Sequence, residues 1–242
     1  MNNHLKIRVL MVLAGLVFIF LGMAVLSGSS WGARLFGKEI YSIQNFMWLA
    51  FFIGFAELLI RHIESRKDVI ALQSKYLLEG NGVFYNQEFM AQTMTNVYDK
   101  DDRLAHLIQV LFMRYQASNK STEETHQMLN SQLEMMQFKL DVQYNMIRYI
   151  SWLIPTLGFI GTVVGISDAL AYAGIPGNAE RSDFVSNLTS ELAVAFDTTL
   201  LALIMSALLV YVMHIIQGRE ENVIQHCGEY TLNNFINKLM GK

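Results

Sequence analysis

Residues 149–174 read YISWLIPTLGFIGTVVGISDALAYAG, an apolar run with one charged side chain, Asp168. A helix needs roughly 20 mainly apolar residues to cross about 30 Å of hydrocarbon, so this stretch is long enough to span a bilayer. Three more runs share its character: residues 9–28, which carry no charge, residues 43–60, interrupted near the end by Glu57, and residues 192–217, with one carboxylate, Asp197. Lys6 and Arg8 before the first run would also suit a signal peptide, but the run exceeds a signal's apolar region and no Ala-x-Ala follows it. The expectation is an all-α integral membrane protein with four transmembrane helices.

Composition agrees: 52% of the 242 residues are hydrophobic and 16% charged, far from the balance of a soluble domain. The net charge of −3 and the lack of a dense Lys/Arg tract exclude a nucleic-acid footprint. Cys227, the single cysteine, cannot form an internal disulfide, and no CxxC or His/Cys pair is spaced to hold a metal. It reads as a free structural thiol. No nucleophile motif or intramembrane His/Glu/Asp cluster suggests an enzyme.

Lys and Arg flanking spans favour the cytoplasmic side. Lys6 and Arg8 precede the first span, and Arg61, Arg66 and Lys67 follow the second, against Arg34 and Lys38 in the first outer loop. Four segments result: an N-terminal hairpin (1–62), a helical cytoplasmic domain (63–148), a second hairpin (149–217) and a cytoplasmic tail (218–242), with both termini inside. Gly80-Asn81-Gly82 marks a turn. Phe89, Met90, Val97, Leu104, Leu107, Ile108, Leu111 and Phe112 suggest helix, broken by the Asp99–Arg103 charge cluster. Asp99, Asp101, Asp102 and Arg103 are candidates to contact a target, or a solvated face. Ser121-Thr122-Glu123-Glu124 reads as a capping box, and no Gly or Pro intervenes before Tyr149. One helix should therefore run into the third span, and the fourth should continue into the tail.

At about 100° per residue, Pro155, Gly158, Thr162, Gly165 and Ala169 share one face of the third span, and Ala195, Thr199, Ala202 and Ser206 one face of the fourth. Gly161-xxx-Gly165 would let backbones approach closely. Such faces suit a tight interior, or plain helix packing with each threonine bonded back to its own helix.

The string from Pro155 to Gly165, followed by Ala195-Phe-Asp-Thr-Thr199-Leu-Leu-Ala-Leu203, resembles the paired signature of the MotA/TolQ/ExbB ion-channel family. Two initial spans look more like the MotA arrangement. Val194 and Leu208 depart from the glutamate and proline that ExbB and TolQ carry there. The resemblance implies a homopentamer around a dimer of a single-span partner, whose membrane aspartate binds the ion and which carries a peptidoglycan-binding domain. The implied setting is the bacterial inner membrane, and the transported ion, H+ or Na+, is the only cofactor. Thr162 and Thr199 map onto the family's lumen-facing threonines, with Thr198 adjacent, and Pro155 onto its proline. Gly158, Gly165, Ala169, Ala195, Ala202 and Ser206 would line the lumen. What the motor drives is not written in these residues.

Asp168 and Asp197 lie about 19 and 20 residues from the inner ends of their spans, near the outer surface at about 1.5 Å per residue. They are rotated roughly 120° and 160° from the threonine faces, which suits an outer collar, a subunit contact or snorkelling. Glu57 lies one turn before Arg61 and is expected to pair with it at i,i+4. His214 is expected at an interface.

Overall fold

The structure, a computed structural model, describes residues 2–26, 28–37, 39–74, 76–77, 87–118 and 121–240. The Gly80-Asn81-Gly82 turn and Lys38 lie outside the described residues, as do the side chains of Phe89 and Met90. The chain is 89% helical with no strand among the described residues. In order come α1 (Asn2–Val25), α2 (Ser30–Phe36), α3 (Ile43–Gln73), α4 (Gln87–Tyr98), α5 (Arg103–Ala117), α6 (Thr122–Gly174), α7 (Phe184–Thr231) and α8 (Asn237–Met240). A short 3-10 turn, Asn178–Glu180, precedes α7, and a π-helical turn, Leu232–Ile236, joins it to α8. Four helices, α1, α3, α6 and α7, are long and apolar enough to cross a membrane. This is an all-α, multi-pass membrane protein.

The chain divides into two compact units, one of residues 1–60 and 145–214, the other of residues 61–144 and 215–242. The first holds the apolar spans. Leu10, Leu13, Val17, Phe20 and Leu21 of α1 are exposed, as lipid-facing side chains should be. The loop between α1 and α3 carries a helix that hydropathy alone does not reveal. Its Phe36 is 2% exposed and sits where Gly22 has no side chain: a Cβ there would lie 2.1 Å from the Phe36 ring. Trp48 caps the end of α2 by donating Nε1–H to the Leu35 carbonyl at 2.9 Å.

The second unit packs α4 and α5 against the charged stretches of α6 and α7, with Leu104, Leu107, Leu111, Phe112, Phe235 and Ile236 at its centre. The Asp99–Arg103 cluster is the break between α4 and α5. Asp102 caps α5 by accepting from the Ala105 N–H at 2.8 Å and also accepts from the Tyr76 hydroxyl at 2.8 Å. Tyr76 is held up to about 12 by burial and by the Asp102 carboxylate. Arg103 turns inward, so two of the four residues considered for a target contact serve the fold instead. Ser121 does accept from the Glu124 N–H at 3.3 Å, the first half of the capping box. The Glu124 carboxylate, however, pairs with Arg114 at 2.7 Å. Cys227 is a free, buried thiol, pushed up to about 12 by burial.

Candidate functional site at the seam of two membrane helices

Within the first unit, the small-residue faces of α6 and α7 meet each other. A Cβ built on Gly158 would lie 2.4 Å from Ala202 Cβ, one on Gly161 2.7 Å from Thr198 Cγ2, and one on Gly165 2.7 Å from Ala195 Cβ. Residue numbers rise along α6 as they fall along α7, so the two helices are antiparallel. Ala169, Ala195 and Ala202 are at most 1% exposed. In the single chain these positions, taken from the sequence as lumen-lining, form the packed seam. Glycine is required at the three rungs because the backbones approach too closely for a methyl group.

Pro155 stands inside α6 and has no N–H to give the carbonyl four residues earlier. That acceptor, Ser151 O, receives the Ser206 hydroxyl of α7 at 2.9 Å. Ser206 thus supplies from the neighbouring helix the donor that proline removes.

Between these rungs the structure brings Thr162 and Thr199 together. Thr199 Oγ1 donates to Gly158 O at 3.0 Å. Thr162 Oγ1 lies 3.2 Å from Gly158 O and 3.3 Å from Ala195 O, and the two hydroxyls also contact each other. Each hydroxyl has one proton to donate and two lone pairs, so the pair and two carbonyls form a compact oxygen cluster, half-buried on both helices. Thr198 is not brought to it. Its side chain is 2% exposed, packs on Gly161, and donates back to Val194 O at 2.5 Å.

The carboxylates separate in environment. Asp197 pairs with Arg34 of α2 at 3.3 Å, a contact no local spacing rule indicates. Asp168 is exposed and has no partner among the described residues. The expected Glu57–Arg61 pair does not form. Arg8 reaches across from α1 to Glu57, with Nε 2.7 Å from one carboxylate oxygen and Nη2 3.1 Å from the other. Arg61 pairs instead with Glu64 and Gln143. A two-toothed Arg–carboxylate contact outcompetes a single-turn pair because both oxygens are engaged at once. His214 is exposed.

Sequence reasoning missed a buried ion cluster in the second unit. Arg103 bridges Asp68, at 3.2 Å, and Glu220, at 3.1 Å, and the Tyr144 hydroxyl donates to Glu220 at 3.0 Å. Glu220 is fully buried. Burial pushes both carboxyls above their ordinary range, against the pull of Arg103. The Tyr144 phenol is likewise raised, by burial first and then by Glu220.

Residues 87–229, more than half of the chain, match the profile of the MotA/TolQ/ExbB proton channel family. That span contains both helices of the seam, and the chain belongs to this family of membrane channel proteins. Searches of curated proteins and of solved structures returned no match.

Proposed function

We propose that the chain is the ion-conducting subunit of a membrane motor driven by a proton or sodium gradient. Five copies would surround a dimer of a single-span partner that contributes a membrane aspartate and a peptidoglycan-binding domain. In this reading the protein lies in a bacterial inner membrane with both termini, residues 63–148 and residues 218–242 in the cytoplasm. The transported ion is H+ or Na+. The observation that carries the reading is the Thr162–Thr199 oxygen cluster within the family's matched span. A cation leaving water needs oxygens that replace its hydration without a fixed charge to trap it, and two hydroxyls beside two backbone carbonyls offer uncharged oxygens of that kind. Gly158, Gly161 and Gly165 allow the close approach that puts both hydroxyls in one place.

The test is ion uptake into vesicles containing the chain and its partner. Thr162→Val and Thr199→Val should each lower flux at least tenfold while the size of the assembly is unchanged. Undiminished flux in both variants refutes conduction through this cluster.

One observation favours a second reading, a non-conducting scaffold of the same fold. The two hydroxyls and their carbonyls satisfy one another within one chain, as structural threonines do. The same valine variants would then weaken assembly, and the native complex would show no flux.

A further inference from the structure

In the second unit, α3 and α7 border a groove of about 1070 Å³ with Val69 and Val223 on its floor. Its polar lining changes along its length. The end next to the apolar runs carries His62, Arg66 and Arg219, and the far end carries His226 and Glu229. Asp68 and Glu220 share Arg103, and the Leu77 N–H donates to the Tyr230 hydroxyl at 2.8 Å. Residue numbers therefore rise together along the two helices, and Arg66, just before Asp68, is level with Arg219, just before Glu220. Both arginines are exposed. Every nearby carboxylate on these helices is engaged elsewhere: Glu64 by Arg61, Asp68 and Glu220 by Arg103, Glu221 by Gln217, and Glu229 by His226. This end of the groove thus holds two guanidiniums at one level without an acidic partner among the described residues.

We propose that this end of the groove binds the headgroup of an anionic phospholipid, with its phosphate between Arg66 and Arg219 and its acyl chains in the bilayer. The depth fits. The apolar runs close at residues 60 and 217, so at about 1.5 Å per residue Arg66 lies about 9 Å and Arg219 about 3 Å beyond them. A headgroup layer is about 5–8 Å thick on each side of the hydrocarbon, whereas Glu229 lies about 18 Å beyond residue 217. Ile215, one turn before Arg219 on the same face of α7, is 39% exposed and offers apolar contact where the chains begin. Guanidiniums hold phosphate through paired N–H donors. A zwitterionic headgroup brings its own cation, and no free carboxylate is there to receive it, so the site selects net negative charge. Basic pockets between membrane helices hold anionic headgroups in this way. Such binding requires the membrane fold alone and is independent of ion conduction.

The test places the full-length protein in nanodiscs of equal phosphatidylglycerol and phosphatidylcholine and releases it for native mass spectrometry. Phosphatidylglycerol should stay bound at least tenfold more often. Arg66→Gln and Arg219→Gln should each lower that preference about fivefold, the weight of one cation at a charged lipid surface, while Arg66→Lys retains most of it. Lys67→Gln, at an exposed position of α3 outside the groove lining, should leave it unchanged. In the native chain phosphatidylglycerol should raise the melting temperature and phosphatidylcholine should not, a readout that needs no variant. Equal retention of the two lipids, or a preference unmoved by both Gln variants, overturns the site. An equal loss in Lys67→Gln means a diffuse basic surface and overturns it as well. Displacement of the lipid by excess inorganic phosphate, or a protein chain crosslinked through Arg66→Cys in place of lipid, overturns the phospholipid as occupant.

Discussion

The Ser206 hydroxyl of α7 donates at 2.9 Å to the Ser151 carbonyl of α6, the acceptor deprived of its intrahelical partner by Pro155. Removing the donor with Ser206→Ala should cost about 1 kcal/mol, within the range for interhelical hydrogen bonds in membranes. In a Pro155→Ala background an amide N–H is available to Ser151 O, and the same substitution should cost almost nothing. A double-mutant cycle of unfolding in detergent measures this coupling. Additive effects would show that the hydroxyl does not compensate for the proline.

Gly158 is where the α6–α7 seam is tightest. Gly158→Ala places a methyl 2.4 Å from Ala202 Cβ, and both atoms belong to rigid helices, so the helices must part. Overpacking of this kind costs about 1–3 kcal/mol. Ala202→Gly removes the opposing methyl and should recover most of the loss, both in thermal stability and in yield of assembled protein. Failure of the rescue would place the clash elsewhere.

The Arg103 cluster makes the second unit sensitive to pH in a defined direction. Asp68 and Glu220 have carboxyls raised by burial, so the folded state holds their protons at pH values where the unfolded chain has lost them. Their contribution is therefore full below the ordinary carboxylate range, about pH 4, and declines as pH rises through the raised values. Glu220→Gln should flatten the thermal-stability profile above pH 4 relative to the wild type. Arg103→Met removes the cation that bridges the two buried carboxyls and should destabilise by about 3–5 kcal/mol at neutral pH. A Glu220→Gln profile parallel to the wild type's would remove Glu220 as the source.

The four spans were legible because bilayer thickness imposes a length of apolar sequence that few soluble helices match. The seven-residue α2 was not legible, since it stands on Phe36 filling the notch at Gly22, a contact between distant residues. The Glu57 partner was misjudged for a related reason: the local turn offered Arg61, while the fold brought Arg8. Arg103 and Glu220 are separated by 117 positions, and nothing in either neighbourhood announces the other. At the seam, periodicity located both small-residue faces. It could not tell two faces meeting each other from two faces lining a lumen, and the space a Cβ would need at Gly158, Gly161 and Gly165 shows that in one chain they meet.

In the proposed conducting assembly, Asp168 and Asp197 should affect ion flux in opposite ways. Asp168 is exposed and has no partner among the described residues, so in the proposed conducting assembly its charge is free to concentrate cations near its end of α6, an effect that fades as salt screens it. Asp197 is paired with Arg34 at 3.3 Å, so its field is largely cancelled. Asp168→Asn should lower cation flux about twofold at low ionic strength, where the Debye length is about 30 Å, and hardly at all at 1 M salt. Arg34→Gln uncovers Asp197 and should raise low-salt flux by a similar factor. Flux measured across a salt series decides the matter. A deficit in Asp168→Asn that persists at high salt would mean that the residue supports packing rather than the field, and equal losses in both variants would mean that the Arg34–Asp197 pair holds its end of α7 in shape.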